Sequence, residues 1–100
     1  MPLVEVAGTD DIPEGGKAQF KVGDEQILVC RIGGVLHAMQ AVCPHRGAFL
    51  TQGTLQENVI TCPWHAWSFD VTTGEGITNP MSCVRKFKVK ETNGRISIEM

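Results

Sequence analysis

The sequence predicts an all-β protein built from antiparallel sheets. Gly, Pro, Asn and Asp recur about every eight to twelve residues, and short runs rich in β-branched residues lie between them. Apolar residues form no helical stripe of useful length. Two glycine-containing dipeptides also have the composition of tight hairpin turns, which are typical of antiparallel neighbours.

The first predicted strands follow one another closely along the chain. Val4–Val6 is a first edge strand, and Asp10–Gly16 is a turn-rich connection. Ala18–Val22 and Gln26–Ile32 are the next two strands, with Gly23-Asp24 between them. We therefore expect three strands before residue 33.

Two hairpins can be placed from their turn residues. Gly33-Gly34 suits a two-residue turn of the primed type, and Asn93-Gly94 is the stronger signal of the same kind. The first turn predicts the pairs Ile32 with Val35, Cys30 with His37, and Leu28 with Met39. The second predicts Phe87 with Met100, Val89 with Ile98, Glu91 with Ile96, Lys88 with Glu99, and Lys90 with Ser97. The second hairpin then has one mainly apolar face and one charged face, as a half-buried ribbon requires.

Length and composition set limits on the class of protein. One hundred residues make a single domain, which we assign to residues 1–100. Apolar residues are 42% and charged residues 20%, which excludes a disordered tail, a coiled coil and a collagen. A net charge of −2 lacks the basic excess of nucleic-acid-binding proteins, and no apolar run is long enough for a membrane-spanning helix. With no secretory signal at its start, we expect a cytoplasmic monomer without nucleic-acid or membrane partners.

Residues 43–80, here called the insert, differ in character from the rest of the chain. The insert contains two of the three His, both Trp, and many Gly and Thr. We interpret it as loops inserted into the β scaffold, with a short hairpin around Val59–Thr61. Loops on a rigid scaffold are a common place for a functional site.

Two Cys/His pairs in the insert carry the chemistry. Cys43 and His45 form one pair, and Cys62 and His65 form the other, so that two loops each offer a thiolate and an imidazole. One hypothesis is a tetrahedral zinc site, although a single residue between Cys43 and His45 departs from the usual zinc spacing. The other is a binuclear iron–sulfur centre with two Cys on one iron and two His on the other.

At these residues the sequence resembles the Rieske family, whose motif is Cys-x-His followed, after some fifteen to seventeen residues, by Cys-x-x-His. The match extends along Cys43-Pro44-His45-Arg46-Gly47 and along residues 62–70, and it resembles the cluster loops of aromatic-ring dioxygenase systems. The resemblance implies a Rieske fold, with the loops at one end, and one [2Fe–2S] cluster bound by Cys43, His45, Cys62 and His65. It also implies neighbours of the cluster at Pro44, Arg46, Gly47, Trp64, Ala66, Trp67 and Pro80. Ala66 stands where the family usually has Gly.

Two further positions indicate the branch of the family. The respiratory branch carries hydroxyl side chains two and four residues after the last His ligand, where they raise the reduction potential by hydrogen bonding. Here Trp67 and Phe69 occupy those positions and offer no hydroxyl. Ser68 has a hydroxyl, but strand alternation predicts that it points away. The sequence therefore resembles the low-potential branch.

The resemblance implies an electron carrier of aromatic hydrocarbon catabolism with no catalytic site of its own. It would take single electrons from a flavin-dependent NAD(P)H reductase and pass them to a terminal oxygenase. The alternatives are a small Rieske subunit of a nitrite reductase or other reductase complex, and a zinc-stabilised interaction module. A catalytic oxygenase chain is excluded, because its mononuclear iron needs two further His and only His37 remains. Partners are expected to dock over the two imidazoles, with Pro44, Arg46, Trp64 and Pro80 as the rim.

The remaining reactive side chains have structural interpretations. Cys30 and Cys83 are interpreted as reduced, mostly buried thiols, with a disulfide between them as the alternative. His37 is interpreted as a structural strand residue. Three alternating lysines predict a solvated strand face, with a docking stripe for an acidic partner as the alternative: Lys86, Lys88 and Lys90.

Overall fold

The computed structural model describes residues 3–43, 49–63, 67–79 and 83–99. Within them the chain forms nine β-strands, with 3₁₀ turns at Thr9–Asp11 and Leu50–Gln52. The strands are β1 (Leu3–Gly8), β2 (Lys17–Val22), β3 (Glu25–Ile32), β4 (Val35–Gln40), β5 (Thr54–Gln56), β6 (Val59–Thr61), β7 (Ser68–Asp70), β8 (Lys86–Thr92) and β9 (Arg95–Glu99). The predicted all-β class is confirmed. None of the described residues forms a helix of the length and apolarity that crossing a membrane requires.

The strands form two antiparallel sheets. The larger has six strands in the order β1-β9-β8-β4-β3-β2, and the smaller has three in the order β5-β6-β7. The N-terminal strand lies at an edge, as predicted. The predicted hairpin around Val59–Thr61 is present, since β6 spans these residues, but the insert forms a three-stranded sheet because β5 and β7 flank β6 on both sides. Strands of three residues are too short to show a sequence period, which is why the alternation did not reveal them.

Both predicted hairpins have the expected register. Ile32 pairs with Val35 and Cys30 with His37 in the first, and every predicted pair of the second that falls within the described residues is present. Residue Met100, and with it the predicted pair to Phe87, lies outside the described residues. Backbone φ is positive at both central residues of each turn, which is the geometry of the type I′ turn.

Strand β3 is buried on both faces. Ile27, Leu28, Val29 and Cys30 are each fully buried, although successive side chains of a strand point to opposite sides. The two faces belong to two separate cores. One core contains Ile12, Ile27, Val29, Ala38, Phe87, Ile96 and Ile98. The other contains Leu28, Cys30, Met39, Ala41, Cys43, Leu50, Ile60, Cys62, Phe69, Val71 and Val84.

The insert supplies most of the second core. Leu50, Ile60, Phe69 and Val71 are fully buried there, against the face of β3 and β4. The small sheet is therefore held by apolar packing, since three-residue strands are too short for independent stability. This packing brings Cys43 and Cys62, at which the two loops begin, into one core.

Gly53 lies between the 3₁₀ turn at Leu50–Gln52 and β5, where its lack of a side chain allows a close approach to β6. A Cβ atom on Gly53 would overlap the carbonyl oxygen of Thr61, the residue that ends β6. It would also lie within 3.2 Å of the carbonyl oxygen of Leu50. Because all of these neighbours are backbone atoms, no side-chain rearrangement can relieve the overlap.

We predict that Gly53→Ala lowers the free energy of unfolding by about 1–3 kcal/mol or more, because overpacking usually has a cost of this size. Chemical denaturation of the variant measures this loss. Gly8→Ala is the matched control, because a Cβ there meets nothing closer than 3.5 Å. Equal stability of Gly53→Ala and Gly8→Ala would contradict the close approach of Gly53 to Thr61.

Candidate metal centre

Cys43 lies at the start of the first loop, three residues beyond the end of β4. Val42 forms an isolated bridge with Phe49, and the Leu50 amide donates a hydrogen bond of 2.7 Å to the Ala41 carbonyl. These two contacts close the loop at its base. The intervening residues 44–48, which include the predicted site residues Pro44, His45, Arg46 and Gly47, lie outside the described residues.

Cys62 lies at the start of the second loop, directly after β6. Thr61 pairs with Ser68 across the sheet, and the Cys62 amide donates a hydrogen bond of 2.6 Å to the Trp67 carbonyl. Cys62 and Trp67 therefore lie at the two ends of the connection between β6 and β7. Its residues 64–66, with the predicted Trp64, His65 and Ala66, lie outside the described residues, as does Pro80.

The structure brings the two predicted cysteine ligands into one core. Cys43 and Cys62 are each 1% exposed and belong to the same buried cluster. Both thiols are free rather than joined in a disulfide. Two unbridged cysteines at the bases of two closed loops fit the thiolate half of a two-Cys, two-His ligand set. Three or more potential ligands are not found together among the described residues, which exclude His45 and His65.

The side chains beyond Cys62 behave as the sequence predicts. Trp67 is half-buried and packs against the core that holds the cysteines, and Phe69 is fully buried in it. The Ser68 hydroxyl lies 3.0 Å from the Thr61 hydroxyl, on the face of β7 opposite to Phe69. The one hydroxyl of this strand is therefore engaged by Thr61.

The other two cysteines differ from each other. Cys30 is fully buried, as predicted, and burial raises the pKa of its thiol to about 11. Cys83 is exposed, so its interpretation as a mostly buried thiol was wrong. It pairs with Glu75 in an isolated bridge just before β8, outside both cores. Both thiols are free, which also excludes the alternative of a disulfide between them.

His37 and Lys86 form a contact that the sequence did not predict. The Lys86 ammonium donates to the Thr72 carbonyl at 3.0 Å and lies 3.3 Å from Nδ1 of His37. Lys86 is thus half-buried, whereas Lys88 and Lys90 are exposed as predicted. Because the three lysines occupy alternate positions of one strand, the sequence pattern predicts the same exposure for all of them. The difference arises because β8 pairs with β4 at Lys86 and with β9 from Lys88 onward, a change of partner that leaves no local signal.

The described residues thus form an all-β protein of two antiparallel sheets, in which two buried, unbridged cysteines lie in one core, each at the start of a loop. The family model for the Rieske [2Fe-2S] domain matches residues 3–88, and the chain belongs to that family. The predicted Rieske-type ferredoxin with one [2Fe–2S] cluster and an electron-carrying role is confirmed.

Relatives and structural neighbours match over almost the whole chain. The ferredoxin component of an alkene monooxygenase system from Xanthobacter autotrophicus is 35% identical, over 98% of this chain and 81% of that protein. The ferredoxin component of the naphthalene 1,2-dioxygenase/salicylate 5-hydroxylase systems from Ralstonia is 33% identical, over 97% of this chain and 94% of that protein. The ferredoxin of carbazole 1,9a-dioxygenase from Nocardioides aromaticivorans superposes with a TM-score of 0.87 at 29% identity, over 98% and 97% of the two chains. A ferredoxin in complex with the oxygenase of carbazole 1,9a-dioxygenase gives a TM-score of 0.88 at 30% identity, over 96% and 91%.

We predict that Cys83 is the thiol that reacts rapidly with an alkylating reagent in the native protein. Cys83 is exposed, whereas Cys30 is buried and its raised pKa leaves little thiolate. Mass spectrometry of the native protein after brief alkylation should find one labelled site. Cys83→Ser should abolish that label, and full labelling of Cys30 should require unfolding. Rapid native labelling of Cys30 would contradict its burial.

Proposed function

We propose that this protein carries single electrons from a flavin-dependent NAD(P)H reductase to a terminal oxygenase in the cytoplasm, and that it has no catalytic site of its own. The observation that carries the proposal is the pair of unbridged cysteines, each at the start of a loop, that are buried in one core. Each cysteine is followed in sequence by a histidine at the spacing of the family motif. The family membership supports the electron-carrying role.

The proposed ligands are Cys43 and Cys62 on one iron and His45 and His65 on the other. When bound, the cluster supplies a centre that accepts and releases one electron reversibly. Cys43 and Cys62 lie in a buried apolar core that contains Phe69 and against which Trp67 packs, and this core would shield the bound sulfur atoms from solvent. Two neutral imidazoles bring two fewer negative charges than two thiolates, which keeps the potential above that of a four-Cys ferredoxin.

The contacts beyond Cys62 support a potential at the low end of the Rieske range. Neither Trp67 nor Phe69 has a hydroxyl, and the Ser68 hydroxyl is engaged by Thr61. The lever that raises the potential in the respiratory branch is therefore missing at these three positions. A low potential suits delivery to an oxygenase, and it lies within reach of a reductase that is driven by a nicotinamide cofactor.

Two observations favour an oxygenase partner over a nitrite reductase. The relatives that match over the whole chain are named as ferredoxin components of monooxygenase and dioxygenase systems. A structural neighbour is a ferredoxin in complex with an oxygenase. The printed substrates of those systems differ, so we propose the class of partner and no single substrate.

The end of the insert that holds the two loops is proposed as the docking surface. The described residues that flank the loops, 41–43, 49–53, 61–63, 67–68 and 77–79, include no Asp, Glu, Lys or Arg. Phe49 is 38% exposed and Ile77 is 52% exposed, and Pro63 beside Cys62 is exposed as well. Three loop sequences, 44–48, 64–66 and 80–82, lie outside the described residues. They contain a single Lys, Arg, Asp or Glu, which is Arg46.

The carboxylates of the insert lie away from that end. Glu57 is in the turn between β5 and β6, and Asp70 ends β7, so both lie at the opposite end of the small sheet from Cys62. Glu75 is beside Asp70, since the Asp70 amide donates to the Glu75 carbonyl. We therefore propose that the oxygenase presents a mainly apolar face to the loops and that few ion pairs form in the contact.

We predict that the purified protein is red-brown and contains two irons and two acid-labile sulfides per chain. His45→Cys or His65→Cys should lower the reduction potential or lose the cluster, because an added thiolate places negative charge on the iron. Cys30→Ser and Cys83→Ser are the controls and should leave the visible spectrum unchanged. Stoichiometric zinc without sulfide, or bleaching by Cys30→Ser, would overturn the ligand assignment.

We predict that Phe49→Ser and Ile77→Ser slow electron transfer to the terminal oxygenase that accepts electrons from this protein. Stopped-flow mixing of the reduced variants with that oxygenase measures the rate as a function of protein concentration. Val35→Ser is the matched control, because Val35 is 55% exposed at a hairpin turn of the six-stranded sheet, outside the insert. The rate should also depend weakly on ionic strength, since the proposed contact is nearly uncharged. Equal slowing by Val35→Ser, or a steep dependence on salt, would argue against this surface.

A further inference from the structure

We propose that Gln40 is a positioning residue for Cys43: its side-chain amide fastens the start of the first loop to the chain before β8, and this contact helps to retain the cluster. The inference rests on the proposed function, since it concerns the cluster that Cys43 would help to hold. Gln40 is the last residue of β4, is half-buried and uncharged, and lies outside the predicted ligand set.

The ladder between β4 and β8 ends at the side chain of Gln40. Met39 pairs with Lys86, so Gln40 and Arg85 come next in the register, and the Gln40 amide donates to the Arg85 carbonyl at 2.8 Å. In a regular antiparallel ladder the Arg85 amide would donate in return to the backbone carbonyl of Gln40. It donates to the side-chain oxygen Oε1 of Gln40 at 2.7 Å, which lets the main chain diverge from β8 at this point.

The nitrogen of the same side-chain amide holds the peptide unit before Cys43. Nε2 of Gln40 donates to the Val42 carbonyl at 2.8 Å. That carbonyl belongs to the planar peptide unit that also contains the nitrogen and Cα of Cys43, so its direction constrains where the Cys43 backbone lies. The two partners also fix the orientation of the amide, because exchanging its oxygen and nitrogen would oppose two donors at Arg85 and two acceptors at Val42.

Gln40 therefore joins two segments of the chain that pack in the same core. Cys43 is buried at the end of the first segment, and Val84 is buried beside Arg85 in the second. Both side chains belong to the core that also contains Cys62. A contact that joins these segments limits how far Cys43 can move away from that core.

The contact to Val42 differs from the contacts of its neighbour Ala41. The Ala41 amide donates to the Gln26 carbonyl at 2.9 Å, and the Ala41 carbonyl accepts from the Leu50 amide at 2.7 Å. Both are bonds between backbone groups, which side-chain substitutions leave in place. The bond to the Val42 carbonyl comes from a side chain, so a substitution at position 40 removes it while the backbone groups remain.

The two bonds of the side chain require a donor and an acceptor at its end, and Gln has both. Glu has the same shape and keeps the acceptor for the Arg85 amide, but it is ionised at neutral pH and has no proton to donate to Val42. Met has a similar length and no donor. Comparison of Gln40→Glu with Gln40→Met therefore separates the bond to Val42 from the bond to Arg85.

Retention of iron is the property that benefits from this contact. Cys43 and His45 both belong to the first loop, so iron can leave only when that loop opens. A hydrogen bond that is present only in the closed loop lowers the population of the open form. Its loss should speed the release of iron roughly two- to tenfold, the factor that corresponds to the net contribution of one hydrogen bond.

The test follows the loss of visible absorbance after a chelator is added to four cluster-containing proteins: the wild type, Gln40→Met, Gln40→Glu and Gln19→Met. Gln19 is the matched control, because it is also half-buried and its side chain also makes two hydrogen bonds. It donates to the Gln26 side chain at 3.0 Å and accepts from the Thr51 hydroxyl at 2.7 Å, so it too connects the six-stranded sheet to the insert. Both of these partners are side chains rather than the peptide unit of a cysteine.

We expect faster release from both Gln40 variants and the wild-type rate from Gln19→Met. Chemical denaturation of each protein measures its free energy of unfolding, which should fall by similar amounts in Gln40→Met and Gln19→Met. The visible circular dichroism of the cluster reports the geometry of its thiolate ligands, and it should change in the Gln40 variants only.

Other results would overturn the inference and leave the proposed function standing. Equal rates for Gln40→Met and Gln19→Met would show that general stability controls release, and a wild-type rate for Gln40→Glu would show that the bond to Val42 is not needed. If a Gln40 variant is colourless, denaturation decides. Cooperative unfolding like that of Gln19→Met would show a folded protein that cannot keep its cluster and would support the inference, whereas an unfolded variant would assign Gln40 a purely structural role. The proposed function fails separately, if the wild-type protein itself holds no cluster.

Discussion

The burial of β3 on both faces is the constraint on which the rest of the structure depends. Four consecutive apolar residues, Ile27 to Cys30, send side chains alternately to the two sides of the sheet, and each side must be covered. Full burial of such a side chain contributes about 1.5–3 kcal/mol, so an uncovered face would be a large loss for a small domain. The other strands cover one face and the insert covers the other. The insert therefore supplies most of one of the two hydrophobic cores and is also the place of the proposed cluster.

The same packing explains why the two cysteines meet. The strands of the small sheet have three residues each, and Leu50, Ile60 and Phe69 anchor that segment against β3 and β4. Once the small sheet is docked, a few backbone hydrogen bonds close the loops that begin at Cys43 and Cys62. The core thus positions the small sheet, and the small sheet in turn positions the two thiols. A substitution in the core, far from either loop, would displace the thiols through this route.

Local chemistry determined what could be predicted from the sequence. The turns at Gly33-Gly34 and Asn93-Gly94 were predictable because few residues tolerate positive φ at both central positions. The spacing of Cys43 and Cys62 to His45 and His65 predicts a ligand set; the burial of both cysteines in one core is consistent with it, and the ligand roles of all four residues stay predictions. The exposure of Cys83 and the contacts of Lys86 depend on segments that are distant in sequence, such as Thr72, and local patterns contain no information about them.

The low charge of the proposed docking surface affects the timing of electron delivery. A carrier must leave the reductase before it can reach the oxygenase, so each complex has to be short-lived. Association rates within one family of complexes vary little, and the lifetime of a complex is adjusted mainly through its dissociation. A small apolar contact around Phe49 and Ile77, with few ion pairs to break, favours rapid release. Such a surface also carries little charge, so the same few side chains can serve a donor and an acceptor in turn.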